Sequence, residues 1–119
     1  MSYSIELVDP ITKETLEIDE PHMMRGGTYV IGGTTSLELN ITYNYGNHFR
    51  MAFDNEKGIR TIYGMTGAES IPILEAAARK LKNDVSEDYW EPTEGNAKRA
   101  ILQLRSMAIM RPDGIWEGD

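Results

Sequence analysis

The chain is expected to fold as an α+β protein: a mostly antiparallel sheet in the N-terminal two-thirds, packed by two C-terminal helices. Three observations predict this. Period-two alternation of apolar and polar residues is concentrated before residue 64. Helical spacing of apolar residues begins only after Thr66. Strands and helices do not alternate along the chain, which disfavours a βαβ nucleotide fold and favours segregated layers.

The elements follow in order. Ile5–Val8 and Thr15–Ile18 alternate in part and flank the turn residues Asp9–Glu14, which predicts a β-hairpin with a longer loop. Asp19-Glu20-Pro21 should end the second strand, since proline cannot donate to a ladder. Thr28–Ile31 is a run of β-formers bracketed by Gly26-Gly27 and Gly32-Gly33, hence a short strand. Leu37, Leu39, Ile41 and Tyr43 share one face of an alternating strand, with Glu38, Asn40 and Thr42 on the other. Asn44–Asn47 reads as a turn, and His48–Phe53 as either a strand or a helical turn. Ile59–Tyr63 reads as a strand or an extended lead-in.

Thr66-Gly67-Ala68-Glu69 matches a capping box, with Ser70 as a rival N-cap. Ile71, Leu74, Ala77/Ala78 and Leu81 then recur at helical spacing to about Lys82, and Arg79, Lys80 and Lys82 suit the negative end of the helix dipole. Residues 83–94 form a polar connector with five acids and no base. Thr93 should cap the last helix, whose apolar face is Ala97, Ala100/Ile101, Leu104 and Met107/Ala108, and which stops before Pro112. Ile115–Asp119 reads as a short acidic tail. Residues 1–119 should form one domain, with neither repeat nor linker.

Composition excludes several classes. The chain has 12 basic and 19 acidic residues, a net charge of −7, which opposes a broad non-specific nucleic-acid surface. There are no cysteines, and so no disulfides, thiol nucleophiles or zinc–cysteine sites. The first residues carry no signal-peptide pattern, and no apolar run approaches the ~20 residues of a membrane span. A cytoplasmic protein without cofactor is expected. Five acids between Asp84 and Glu94 and three after Pro112 suggest an acidic helical end and a less acidic sheet end.

Chemistry-bearing residues fall into five groups. Gly64–Gly67 leads into a helix whose first amides, at Thr66 and Gly67, suit an anion. No lysine follows as in a Walker loop, and an ordinary capped helix is the bland alternative. Arg25, Gly26 and Gly27 with Thr34 combine a cation, close-approach backbone and a hydroxyl, against the plainer reading of tight turns. Tyr43, Asn44, Tyr45 and His48, with Arg50 just beyond, form an amide–aromatic segment able to stack a base and read its edge. The plainer reading there is an inward Tyr43 and an asparagine-capped turn. Asp19, Glu20 and His22, with His48 elsewhere, match no metal-ligand spacing, and no metal site is expected. Tyr89, Trp90 and Trp116, set among carboxylates, are candidate anchors for a basic partner, against the reading of aromatics packed onto the helices.

The strings RGGTYVIGGTTSLELNITYNY, GIRTIYGMTGAESIPILE, DYWEPTEGNAKRAILQL and MRPDGIWEGD resemble a group of small uncharacterised proteins of bacteriophages and prophages. The resemblance spans nearly the whole chain and implies expression in a bacterial host cell, with no functional residue attached.

The leading expectation is a non-enzymatic binding protein acting on a host protein, such as a defence protein, or sequestering a small anionic or nucleotide signal. No nucleophile motif is present and no catalytic residue is named. The rivals are a small hydrolase using His22 or His48 with a carboxylate, and a homo-oligomeric structural or accessory protein using its seven methionines and an apolar strand face.

Overall fold

In the computed structural model, which describes residues 2–23, 33–84 and 91–119, strand β1 (Ser2–Val8) is the middle of a three-stranded antiparallel sheet. Its neighbours are β4 (Glu38–Thr42) on one side and β5 (Ile115–Gly118) on the other. Alternation sets the two faces. Tyr3, Ile5 and Leu7 of β1, Leu39 and Ile41 of β4, and Trp116 of β5 are buried on one face. Ser4 is exposed on the other, where Glu6, Glu38 and Glu117 are partly exposed. Tyr3 pairs with Ile41 and Ile5 with Leu39, so the register joins apolar to apolar. A one-residue slip would turn this set to solvent.

At the end of β1 three leucines close a ring of main-chain hydrogen bonds. Leu7 N–H donates to Leu37 at 2.9 Å, Leu37 N–H to Leu16 at 2.8 Å, and Leu16 N–H to Leu7 at 2.9 Å. All three side chains are buried. From this junction β2 (Glu17–Met23) and β3 (Gly33–Ser36) form a separate two-stranded antiparallel ribbon. The expected hairpin of the first two strands is therefore only begun, at the single bridge Val8–Thr15. The second strand does not end at Asp19-Glu20-Pro21. Its register with β3 slips between Glu17 and His22, and Pro21 sits in that irregular stretch, where a missing N–H breaks no regular ladder. The expected strand at Thr28–Ile31 lies outside the described residues.

After β4, Tyr43–Tyr45 makes a 3-10 turn that runs into helix α1 (Gly46–Ala52). Tyr45, Phe49 and Ala52 are its buried side. This spacing settles the choice at His48–Phe53 for the helix. Ile59–Tyr63, expected as a strand or an extended lead-in, is neither: a 3-10 turn, Gly58–Ile62, forms there, introduced by Gly58 at φ 57°. Ile59 and Ile62 are both fully buried. A 3-10 turn brings residues three apart onto one side, whereas a strand would place them on opposite faces.

Helix α2 (Gly67–Arg79) opens with the complete capping box of Thr66 and Glu69. Thr66 rather than Ser70 is the cap, so Pro72 falls inside the helix and forgoes one bond near its start. Helix α3 (Glu94–Met110) starts at Thr93, whose hydroxyl accepts from Asn96 N–H at 3.0 Å. The two helices pack together, and Leu74 and Ala77 of α2 and Ala100, Ile101 and Leu104 of α3 are buried in the common core. The fold is α+β as expected, with two additions: the short helix α1, and a C-terminal strand at the edge of the sheet. No helix of the described residues is long and apolar enough to cross a membrane.

The tail is thus not a solvated end. Trp116 is fully buried, and its indole N–H donates to Ser70 Oγ at 2.7 Å. Ser70 Oγ–H in turn donates to Gly67 O at 2.8 Å. On the far side of β5, Trp116 N–H donates to Met65 O and Gly64 N–H donates to Trp116 O, each at 2.9 Å.

Candidate functional site

Folding brings four elements to the rim of one cleft of about 380 Å³. β1 supplies Tyr3, and the first 3-10 turn supplies Tyr43 and Asn44. Helix α1 supplies Gly46, Asn47 and Arg50, and the second 3-10 turn supplies Arg60. The rings of Tyr3 and Tyr43 meet edge to face, with centroids 4.6 Å apart. The Arg60 guanidinium carbon lies 5.0 Å from the centre of the Tyr3 ring and 6.0 Å from that of Tyr43. Arg60 Nε donates to the main-chain oxygen of Asp119 at 2.8 Å. Stacking and this bond hold the guanidinium in place. Arg50 Nη2 donates to Asn47 Oδ1 one helical turn before it.

Beyond the contact of Arg60 with Asp119, neither arginine forms an ion pair with an aspartate or glutamate side chain among the described residues. The ion pairs among the described residues are Arg105–Glu75 at 3.6 Å and Arg111–Asp113 at 2.9 Å, both elsewhere. In a chain with 19 acids, two arginines that share a cleft without a side-chain ion pair among the described residues make a local cationic spot. Burial pushes the Tyr3 hydroxyl above its usual pKa of 10.0, with Arg60 and Arg50 opposing the shift. It remains protonated at neutral pH and is available as a donor. A side chain at Gly46 would crowd this floor: its Cβ would lie 3.2 Å from Tyr3 Oη and 3.5 Å from Arg50 Nη1.

The sequence candidates fall in several places. Tyr43 and Asn44 line the cleft, beside Arg50. Tyr45 does not: its ring is fully buried against Phe49, because it starts the inward side of α1. His48 is turned to the segment that leads into the last helix, its Nε2 hydrogen-bonded to Pro92 O at 2.7 Å. At Thr66 and Gly67 the amides are already engaged. Gly67 N–H donates to Gly114 O and Ala68 N–H to Pro112 O, while Glu69 N–H donates to the Thr66 hydroxyl. The chain leading into β5 therefore occupies the ground where an anion would sit. Trp116 is a core residue rather than a surface anchor, since β5 alternation turns it inward. Thr34 lies on β3, paired with His22. Arg25, Gly26, Gly27, Tyr89 and Trp90 lie outside the described residues.

Tyr3 and Arg60 are cleft residues that sequence reasoning missed. Both belong to segments distant from the asparagine–tyrosine stretch, and no local signal joins them to it. Gly46 and Asn47 stood inside that stretch as turn residues, and the helical spacing from Asn47 to Arg50 was the available clue.

The outer face of the sheet carries the opposite charge. Register places Glu6 opposite Glu38 on one side and Glu117 on the other. Thr15 Oγ1 donates to Glu6 Oε2 at 2.8 Å. Ser4 N–H donates to Asp119 Oδ1 at 3.0 Å. This shallow acidic surface holds about 410 Å³. The sheet is thus not the less acidic end throughout: its outer face is acidic and its Tyr3 corner is basic. No group of three or more histidines and acids arranged to hold a metal ion occurs among the described residues.

Compared with protein-family models, curated proteins and solved structures, the chain has no match in any of the three.

Proposed function

We propose that this chain is a binding protein that captures a small anionic, nucleotide-like ligand in the Tyr3–Arg60 cleft. The observation that supports it is the convergence of two guanidinium groups, neither in an ion pair with an aspartate or glutamate side chain among the described residues, on two tyrosines and two asparagines. Guanidinium groups bind phosphate through paired N–H donors. Tyr43, partly exposed, offers aromatic surface beside them, and amides can read a base edge. This composition suits capture rather than turnover, since the cleft lining contains no carboxylate, histidine or serine to act as base or nucleophile. In the phage setting that the sequence resemblance suggests, withdrawing such a ligand would deprive a host pathway of its signal.

The test is isothermal titration of the purified protein with mono-, di- and cyclic nucleotides. At least one nucleotide is expected to bind. Arg50→Ala and Arg60→Ala should each weaken that binding by roughly tenfold or more, the loss of one charge-assisted hydrogen-bonding group at about 1.5–3 kcal/mol. Absence of binding across the panel, or full binding by the double alanine variant, refutes the reading.

A further inference from the structure

The floor of the cleft is more specific than its charge. Gly46 occupies a helical conformation, φ −52° and ψ −43°, which any residue can adopt, so no backbone demand calls for glycine there. Alanine is the better helix former, so helix propensity does not select glycine there either. What its missing side chain allows is the close approach of Tyr3 and Arg50 to its α-carbon. A single methyl at this position would be 3.2 Å from Tyr3 Oη and 3.5 and 3.9 Å from the two Nη atoms of Arg50. Hydroxyl and guanidinium donors thus bound one notch, and Arg60 lines the same cleft.

We infer that this notch is the seat of a terminal phosphate, and that the ligand is a phosphomonoester. The inference rests on the anion-binding reading above. Each donor arrives on a different element: β1 for Tyr3, α1 for Arg50 and the second 3-10 turn for Arg60. Donors converging from separate elements suit the three terminal oxygens of a phosphomonoester better than the two coplanar oxygens of a carboxylate. The charge also matches. A phosphomonoester carries about −1.5 to −2 at pH 7, which two guanidinium groups neutralise. A longer polyphosphate would bring excess negative charge to a protein already at −7. A phosphodiester carries one charge and lacks the third terminal oxygen.

The experiment is titration of the full chain with AMP, with 3′,5′-cyclic AMP and with inorganic phosphate, repeated on Gly46→Ala and Tyr3→Phe. AMP and phosphate should bind the unaltered protein, and cyclic AMP at least tenfold more weakly than AMP. Gly46→Ala should reduce AMP binding at least tenfold while its melting temperature is unchanged or raised. Tyr3→Phe, which removes only the hydroxyl, should reduce it severalfold. Cyclic AMP binding as tightly as AMP overturns the phosphomonoester assignment. AMP binding that is lost in Arg50→Ala but intact in Gly46→Ala and Tyr3→Phe overturns the seat and leaves the anion-binding reading standing. No binding of any nucleotide or of phosphate defeats both.

Discussion

The Tyr63 hydroxyl is buried with no hydrogen-bond partner among the described residues. It lies against the α-carbon of Gly118, where any added side chain would collide with it. Burial pushes its pKa well above the usual 10.0, Asp119 adds to the shift, and Arg60 opposes it. The unfolded chain ionises this tyrosine near pH 10 while the folded chain keeps the proton. Its contribution to stability is therefore complete below about pH 10 and declines as pH rises above that. Tyr63→Phe removes both the unpaired group and its titration. We expect it to stabilise the fold by about 1 kcal/mol at neutral pH, the lower end of the cost of an unsatisfied buried group. It should also flatten the loss of stability above pH 10. Urea denaturation at pH 7 and above pH 10 measures both effects, and a less stable variant at pH 7 would show that the hydroxyl finds a partner in solution.

Among the elements, α2 depends on its capping box. Glu69 Oε1 accepts from Thr66 N–H at 2.9 Å, and Thr66 Oγ1 accepts from Glu69 N–H at 3.0 Å. The Thr66 N–H is the main reason the Glu69 carboxyl lies below its usual 4.5, and the stability this gives is present near neutral pH and lost as pH falls through that lowered value. Thr66→Ala should cost about 1 kcal/mol, with an unchanged dependence on urea concentration. A change in that dependence would mean that α2 melts as a unit. Such caps were legible in the sequence because every atom involved lies within four residues, as at Thr93. The alternating strand β4 was legible for the same reason. Ile59–Ile62 misled because β-branched residues favour strands, and only the need to bury both isoleucines on one side selects the 3-10 turn. β5 was missed because its four residues carry a single large anchor, Trp116, whose partners Ser70 and Met65 are far away in sequence. In the cleft, Tyr43 and Asn44 were legible as a local cluster, while Tyr3 and Arg60 join it only through the pairing of β1 with β4 and the turn after α1.

At the scale of the molecule, the net charge of −7 is unevenly spread. The Tyr3 corner holds Arg50 and Arg60, and the outer face of the sheet holds Glu38, Glu6 and Glu117 at directly paired positions. Like charges opposite one another on a sheet are destabilising. The central strand suffers most, since Glu6 has a glutamate on both sides. The face persists because the opposite side of the same strands buries Ile5, Leu7, Leu39 and Trp116, each worth roughly 1.5–3 kcal/mol or more, which outweighs the repulsion. Glu6→Gln removes the middle charge and keeps an acceptor for the Thr15 hydroxyl. It should stabilise the protein by about 0.2–1 kcal/mol at low ionic strength. The gain should shrink towards zero in 1 M salt, where the Debye length falls to about 3 Å. Thermal melts of both proteins at low and high salt decide the matter. A gain that survives 1 M salt would come from desolvation of Glu6 itself, and a loss at low salt would show that the acidic row is held by its hydrogen bond to Thr15 more strongly than its charges repel.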